Sequence, residues 1–417
     1  MELRFLGGAR EVGRSAVEVD GRLLLDYGVK TGTPPEFPVD STISPEAVIA
    51  SHGHLDHVGL IPALMSDRPP VHQTPVTRDL TRLLADDTLD IQKHHRAPFT
   101  REDVSRLAET ASVHPYGGVF EAAGHTCRFA DAGHIPGSAQ VLVEGEGAPD
   151  GGTRLLYSGD VNATATRLLD PAAEPPPADA LVVESTYFDH EHTPREQLER
   201  AFVDSVRETL YEGGDVIVPV FAIGRTQEIL MVLEAHDVPC YVDGMGTDVT
   251  HIAREYPEYL RDPRGLKRAW NHAETVDPRD RDAALGDGRA IVTTAGMLSG
   301  GPALHYLPKI HDDPTNKICL TGYQVEDTPG RRALDEGRIE VDGRVLPLSC
   351  QVELHDFSAH ADDAGLKAYV EAAVANGVER VIAVHGDEPS CVALADWARE
   401  SLGVAAEAPS VGDTLEV

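Results

Sequence analysis

Lysine is nearly absent from this chain of 417 residues, which has six lysines against 30 arginines. The five cysteines are odd in number, far apart and without a CxxC pair, so the sequence argues against a disulfide framework or a zinc ribbon and favours a reducing compartment. No apolar run approaches the roughly 20 residues that a membrane-spanning helix needs. The start, MELRFLGGAREVG, shows no signal-peptide pattern. We therefore expect a cytoplasmic protein that contacts no membrane.

Acidic residues outnumber basic residues by 69 to 36, which gives a formal net charge of −33. At molar ionic strength the Debye length is about 3 Å, so such an acidic surface repels itself little. The composition resembles that of halophilic archaeal proteins, and an ordinary acidic cytosolic protein is the alternative. Charge alone argues against a nucleic-acid partner, but a global adaptation to salt masks any local basic patch.

The pattern of strands and helices predicts an α/β protein of two domains. Short apolar runs separated by turns dominate the first part and return near the end, whereas the middle alternates helices with buried strands. Such a βαβ pattern predicts a parallel sheet with flanking helices. We predict one domain formed by residues 1–190 and 348–417, interrupted by an inserted domain at residues 191–347.

The densest group of metal-binding residue types is SHGHLDH at residues 51–57, directly after a buried strand. His52 and His54 are separated by one residue on an extended loop, so they face the same side and can bind one metal ion. Asp56 and His57 lie where a helix begins and face a second position. Single core histidines are common, but four potential ligands in six residues predict a metal site.

HxHxDH is characteristic of the metallo-β-lactamase fold, and the other motifs of that family are present in order. The resemblance implies that His134 in AGHIPGSA is the third histidine ligand. It also implies that Asp160 in YSGD bridges two cations, and that Asp26 in LDYG orients ligands more than it binds metal.

Three further motifs resemble motifs A, B and C of the β-CASP nucleases, a branch of that fold that acts on nucleic acids. They are VEST with Glu184, FSAHAD with Ser358 and His360, and VHGD with His385. The middle segments VPVFAIGRTQEIL, TTAGMLSGGPALHYL and TGYQVEDTPGRRAL resemble the β-CASP cap. The resemblance covers essentially the whole chain and implies a metallo-β-lactamase αββα sandwich with an inserted β-CASP α/β domain.

Within this family, GHIPGSA and FSAHAD resemble the branch that contains the endonuclease subunit of the cleavage and polyadenylation specificity factor, more than RNase J. The metallo-β-lactamase pattern starts at Glu2, so we expect the short archaeal form without KH domains. His385 is typical of members that process RNA, whereas members related to DNA repair have an apolar residue there. The resemblance implies RNA as the substrate, and a homodimer or an RNA-processing complex as further expectations.

The resemblance also implies a mechanism with two zinc ions per chain. We assign His52, His54 and His134 to the first ion, Asp56, His57 and His385 to the second, and Asp160 to both. Hydroxide attacks the phosphodiester, and His360, held by Glu184, protonates the leaving 3′-oxygen, so that the product retains a 5′-phosphate. The predicted catalytic set is His360, Glu184, Asp56, Asp160 and Asp26.

Candidate substrate contacts are weaker predictions. The backbone of Ser299, Gly300 and Gly301 either donates to a phosphate or forms an ordinary turn. Ser358 lies in the motif of His360. Three arginines are either phosphate contacts or partners in surface salt bridges: Arg225, Arg331 and Arg332.

Other functions are open at this stage. A thioesterase or lactonase of the same fold needs only a short lid, not a whole inserted domain. A non-catalytic subunit of a processing complex loses metal ligands, whereas every ligand position is filled here. DNA is an alternative substrate, and the motifs leave internal cleavage and 5′→3′ trimming equally open.

The charge and the implied substrate together make a prediction about salt. In molar salt the counterion release that usually drives phosphate binding is mostly lost, so binding must depend on short-range contacts, for which arginine is well suited. We expect cleavage to persist or increase as KCl rises from about 0.1 M to above 1 M, and the fold to loosen at the low end. Cleavage rates and circular dichroism across a KCl series measure both. An activity optimum near 0.1 M with full structure there would contradict the adaptation to salt.

Overall fold

The computed structural model describes residues 1–32, 34–39, 43–91, 97–145, 152–325, 328–341 and 343–417. The chain forms two compact units. The first comprises Met1–Ala165, Pro171–Glu191 and His360–Val417, and the second comprises Thr166–Asp170 and His192–Ala359. The second unit continues past the predicted boundary at residue 347, because Gln351–Leu354 adds a strand to its sheet.

The strands within the described ranges are β1 (Glu2–Gly7), β2 (Ala16–Val19), β3 (Leu23–Leu25), β4 (Ala47–Ile49), β5 (Val71–Gln73), β6 (Ala111–Val113), β7 (Val119–Ala122), β8 (His125–Asp131), β9 (Ala139–Glu144), β10 (Arg154–Tyr157), β11 (Ala180–Glu184), β12 (Val216–Pro219), β13 (Cys240–Asp243), β14 (Glu274–Thr275), β15 (Ala290–Thr293), β16 (Lys317–Leu320), β17 (Arg338–Val341), β18 (Arg344–Pro347), β19 (Gln351–Leu354), β20 (Arg380–Val384), β21 (Ala405–Glu407) and β22 (Thr414–Glu416). The α-helices are α1 (Leu55–Val58), α2 (Pro75–Ile91), α3 (Arg101–Thr110), α4 (Arg195–Tyr211), α5 (Arg225–Ala235), α6 (Gly246–Glu255), α7 (Pro263–His272), α8 (Ala303–Ile310), α9 (Pro329–Glu336), α10 (Asp363–Ala375) and α11 (Glu388–Trp397).

Two seven-stranded sheets form the first unit. Their orders are β22-β1-β2-β3-β4-β5-β6 and β21-β20-β11-β10-β9-β8-β7. The predicted turn at Asp20-Gly21 is confirmed: both residues have positive φ, and β2 and β3 pair antiparallel around them.

Successive side chains of the second sheet pack alternately into two apolar cores. Val182 faces the core between the two sheets, whereas Leu181 and Val183 face α10 and α11. Because both faces are covered, every residue of β11 is buried, which explains the uninterrupted apolar sequence of this strand. The αββα sandwich that the motifs predicted is the fold of this unit.

The sheets bring the motif residues to one edge of the sandwich. Strands β10, β11 and β20 are parallel neighbours, and Asp160, Glu184 and His385 lie at or just beyond their carboxyl ends. In the other sheet, β3 and β4 are also parallel, and Asp26 and His52 follow them. The carboxyl ends of parallel strands are the usual place for a site in an α/β fold.

The second unit contains a parallel sheet of order β14-β13-β15-β12-β16-β19 and the hairpin β17-β18. Val216, Val218 and Val292 pack on one face with residues of α4, α5 and α7. Ile217 and Ile291 pack on the other face with residues of α8. The predicted βαβ pattern is therefore confirmed. Among the described helices of the chain, none is long and apolar enough to cross a membrane.

Candidate metal centre

The first group of predicted ligands lies together in the first unit. His52 Nε2 lies 3.2 Å from His54 Nδ1, and His134 Nε2 lies 3.1 Å from the same atom. Asp160 Oδ2 lies 3.4 Å from His52 Nε2 and 3.6 Å from His134 Nε2. Three imidazole nitrogens and one carboxylate oxygen thus point toward a common centre.

The second group lies on the other side of the same carboxylate. His57 Nε2 lies 3.2 Å from His385 Nε2 and 3.3 Å from Asp160 Oδ1. His385 Nε2 lies 3.3 Å from Asp56 Oδ2. The two oxygens of Asp160 therefore face different groups of ligands, which is the arrangement that a bridging carboxylate requires.

The spacings within each group suit side chains that bind a divalent cation better than side chains that bond directly to one another. Ligands 2.0–2.1 Å from a tetrahedral zinc ion are about 3.3 Å apart, which is close to the spacings within both groups. Asp160 Oδ1 is buried and accepts no hydrogen bond within the described part of the chain, so a positive ion would satisfy it. The donor set of imidazole nitrogens and carboxylate oxygens suits zinc and related metals.

The surroundings hold His52, His54 and Asp160 in the protonation states that metal binding needs. Burial lowers the pKa of His54 to about 4, and burial with the neighbouring charge of His57 holds the pKa of His52 well below its ordinary value. Burial raises the pKa of the Asp160 carboxyl, but the nearby charges of His385, His57 and His52 outweigh it, and the net pKa lies well below the usual range. His52 and His54 are thus neutral and Asp160 is ionised at neutral pH.

Asp26 supports the ligands instead of joining either group. Its Oδ2 lies 2.7 Å from His57 Nδ1 and accepts hydrogen bonds from the Ser51 and Tyr157 hydroxyls at 2.7 and 2.8 Å, while Oδ1 accepts from the Ser51 amide at 2.7 Å. A carboxylate on Nδ1 fixes the ring orientation and leaves Nε2 available as a ligand atom. The geometry matches the orienting role that the family resemblance implied.

The backbone at this edge is held in uncommon conformations. Asp26 has φ +58° and His385 has φ +47°, a region that costs residues with a β-carbon of order 1–3 kcal/mol. Hydrogen bonds offset that cost: the His385 amide donates to the Gly8 carbonyl at 2.6 Å, and the Asp26 amide donates to the Ile49 carbonyl at 2.8 Å. The positive φ lets each side chain turn away from its strand and toward the ligands.

His360 and Glu184 form a pair beside the two groups. His360 Nδ1 lies 3.0 Å from both Glu184 oxygens, and its Nε2 lies 3.9 Å from Asp160 Oδ2. Burial lowers the pKa of His360, but the Glu184 carboxylate outweighs burial and the net pKa rises to about 9. Glu184 is fully buried, and its Oε1 also accepts the Val161 amide at 2.8 Å. A protonated imidazole thus lies next to the predicted metal positions.

Sequence patterns missed several residues that support the site. Ser51 and Tyr157 bond Asp26, and Thr186 bonds His385. The ring of Tyr187 lies 5.9 Å from that of His360. Ser51, Tyr157 and Thr186 lie within SHGHLDH, YSGD and VEST, and Tyr187 directly follows VEST, so their position in or beside a motif was the available signal.

The predicted substrate-binding residues all belong to the second unit, whereas the metal ligands belong to the first unit. Arg225 is buried and donates to the Thr321 carbonyl, and Arg331 pairs with Asp335 at 2.6 Å. The Ser358 carbonyl accepts from Arg195 at 3.2 Å. Ser299, Gly300 and Gly301 form the loop between β15 and α8, in which the Gly300 carbonyl accepts the Ala295 amide. Their binding roles stay predictions.

A cluster in the second unit also has metal-binding residue types, namely Cys319, Glu353 and His355. Lys317 is almost fully buried there, and its ammonium lies 2.8 Å from Glu353 Oε1 and donates to Ser205 at 2.9 Å. The positive charge that the carboxylate needs is therefore already supplied by the chain. All five cysteines are free, buried thiols, as the sequence predicted.

Comparison with known proteins places this geometry in a family. Residues 226–333 match the Beta-Casp domain, and residues 345–409 match the Zn-dependent metallo-hydrolase RNA specificity domain. The chain is 34% identical to "Probable RNase MJ4" of Methanocaldococcus jannaschii over the whole of both chains. It is 35% identical to "RNase aCSPSF2" of Saccharolobus solfataricus, covering 100% of this chain and 85% of the relative. The chain therefore belongs to the β-CASP family of metal-dependent hydrolases.

Two further likenesses extend the comparison. "Transcription termination factor FttA" of Methanocaldococcus jannaschii is 34% identical, over 96% of this chain and 69% of the relative. A crystal structure of a protein of unknown function from Enterococcus faecalis superposes with a TM-score of 0.59 at 13% identity, over 99% of both chains. At that identity the superposition shows a shared fold alone.

Removal of metal tests the centre without any assay of activity. Metal bound to the folded state stabilises it by mass action, so a strong chelator should lower the melting midpoint by about 5 °C or more, and added Zn²⁺ should restore it. In Asp160→Asn the chelator should have much less effect. Asp282→Asn, which changes an exposed carboxylate, is the matched control and should respond as the wild type does. Equal midpoints of the wild type with and without chelator would contradict the metal centre.

Proposed function

We propose that this protein is a zinc-dependent ribonuclease that hydrolyses RNA phosphodiester bonds in RNA processing or decay. Relatives named as RNases match the whole chain, and the Zn-dependent RNA specificity domain matches its end. The observation that supports the proposal most strongly is the Asp160 carboxylate, with one group of ligands on each oxygen and the His360–Glu184 pair beside it.

We assign two zinc ions per chain to the two groups, His52, His54 and His134 with Asp160 Oδ2, and Asp56, His57 and His385 with Asp160 Oδ1. When bound, two such ions supply an activated water molecule and offset the negative charge that develops on the phosphate oxygens. The chain's own contribution to this step is to orient the ligand nitrogens and to exclude bulk water from Asp160 and the histidines, which are nearly all buried.

His360 is the proposed general acid. Because Nδ1 donates to Glu184, Nε2, which faces Asp160, is the atom that transfers a proton to substrate. As the water oxygen bonds to phosphorus, the bond from phosphorus to the 3′-oxygen breaks, and that oxygen takes the proton from His360 Nε2. The downstream product retains the 5′-phosphate. Glu184 stabilises the imidazolium before the transfer and fixes its orientation.

Other features of the protein are proposals of the same kind. The domain boundary at residue 190, a cytoplasmic location, activity in molar salt, and assembly as a homodimer or in an RNA-processing complex stay predictions. The buried free thiols are consistent with a reducing compartment. Retention of every ligand position disfavours a non-catalytic subunit.

A time course on one long RNA, labelled at its 5′ end, tests the activity. We expect cleavage that a chelator abolishes, and slower or no cleavage of DNA of the same sequence. Early release of mononucleotide would identify 5′→3′ trimming, and labelled internal fragments would identify internal cleavage. Cleavage of DNA in preference to RNA, or of neither, would contradict the proposal.

The role of His360 is tested in the same assay by His360→Ala. If His360 donates a proton and binds no metal, the variant should retain its zinc and lose roughly 10²–10⁴ in rate. His251→Ala, which changes an exposed histidine of the second unit, should retain both rate and zinc. Loss of zinc together with rate in His360→Ala would show instead that His360 is a ligand.

A further inference from the structure

Thr186 lies two residues beyond Glu184, just after β11, where it faces the end of the neighbouring strand β20. Its hydroxyl makes two contacts with one residue. Oγ1 donates to the His385 carbonyl oxygen at 2.9 Å and lies 3.1 Å from His385 Nδ1. One threonine side chain therefore contacts both the backbone and the ring of a predicted metal ligand.

The two contacts together determine which ring nitrogen holds the proton. A hydroxyl has one proton, and the carbonyl oxygen, which can only accept, receives it. Oγ1 must then accept from the ring, so the proton lies on Nδ1. The other acceptor near Nδ1 is Asp160 Oδ1 at 3.6 Å, which is beyond hydrogen-bond distance.

In the neutral ring that a metal ligand requires, this tautomer leaves the lone pair on Nε2. That atom lies 3.2 Å from His57 Nε2 and 3.3 Å from Asp56 Oδ2, in the second group of ligands. The contact to the carbonyl also restrains the backbone of His385 at its positive φ, where the Ser185 amide donates to the same oxygen at 3.2 Å. Both the ring and the backbone of His385 are thus fixed by the segment that follows β11.

We propose that Thr186 is a positioning residue that fixes the tautomer and orientation of His385 for the second metal position. The proposal rests on the proposed two-zinc centre and goes beyond it by assigning a residue outside the ligand set. The Thr186 amide lies 3.4 Å from Glu184 Oε2. The main chain of Thr186 therefore contacts the Glu184–His360 pair, whereas its side chain contacts His385. Loss of the hydroxyl thus removes contacts to His385 and keeps the amide contact to Glu184.

Thr186→Val tests the proposal, because valine keeps the shape and the amide but removes the hydroxyl. Competition titration with a chromophoric chelator should show that one of the two zinc ions binds roughly 10–100-fold more weakly and the other normally. Thr186→Ser, which retains the hydroxyl, should bind both ions nearly as the wild type does. The metal-free midpoint of Thr186→Ser should match that of the wild type, and that of Thr186→Val should fall by no more than about 2–4 °C, as expected for the loss of one hydrogen bond.

Each alternative result has a distinct meaning. Unchanged zinc affinity in Thr186→Val, or equal weakening in Thr186→Ser, would overturn the positioning role while leaving the proposed function intact. If Thr186→Val is so much less stable without metal that this instability explains its weaker zinc binding, the positioning role would also be overturned. The hydroxyl would then stabilise the fold and not the ligand. A wild-type protein that binds no zinc would overturn both proposals.

Discussion

The Asp160 carboxylate is buried between two sets of imidazole rings, and the rest of the site is arranged around it. A charge in such a position is costly unless opposite charge lies close by. Each oxygen of Asp160 faces a different group of ligands, so neither group alone can compensate the whole carboxylate. The need to place positive charge on both sides explains why histidines from distant parts of the sequence converge here.

The sandwich supplies this convergence through parallel strands. Three neighbouring strands of one sheet end at or just before Asp160, Glu184 and His385, and two strands of the other sheet end near Asp26 and His52. A close approach of backbone completes the edge. Gly28 lies so near the Asp56 carbonyl that a β-carbon there would be 1.7 Å from the oxygen, so the loop after β3 requires glycine to pack on the segment that bears Asp56 and His57. The ligands therefore stand on rigid elements, as a preorganised site requires.

Much of this site was predictable because its ligands occur in compact motifs. SHGHLDH places four potential ligands within seven residues, and the strand before it is apolar enough to recognise. The supporting residues were not predictable in the same way. Tyr157 bonds Asp26 across 131 positions of sequence, and serine, threonine and tyrosine hydroxyls are too common for any one to stand out. Arg225 was predicted as a phosphate contact, but a single arginine in a sequence does not reveal that its guanidinium is buried against a carbonyl. The edge strand Gln351–Leu354 was assigned to the wrong side of a domain boundary, since its half-exposed residues do not show which sheet they extend.

The central claim is that Asp160 divides the ligands between two metal positions. X-ray diffraction from crystals of the zinc-loaded protein, recorded above and below the zinc absorption edge, measures those positions directly. The account predicts two anomalous peaks about 3.5–4 Å apart, both adjoining Asp160, with His52, His54 and His134 around one and Asp56, His57 and His385 around the other. A single peak, or a peak between Glu184 and His360, would contradict it.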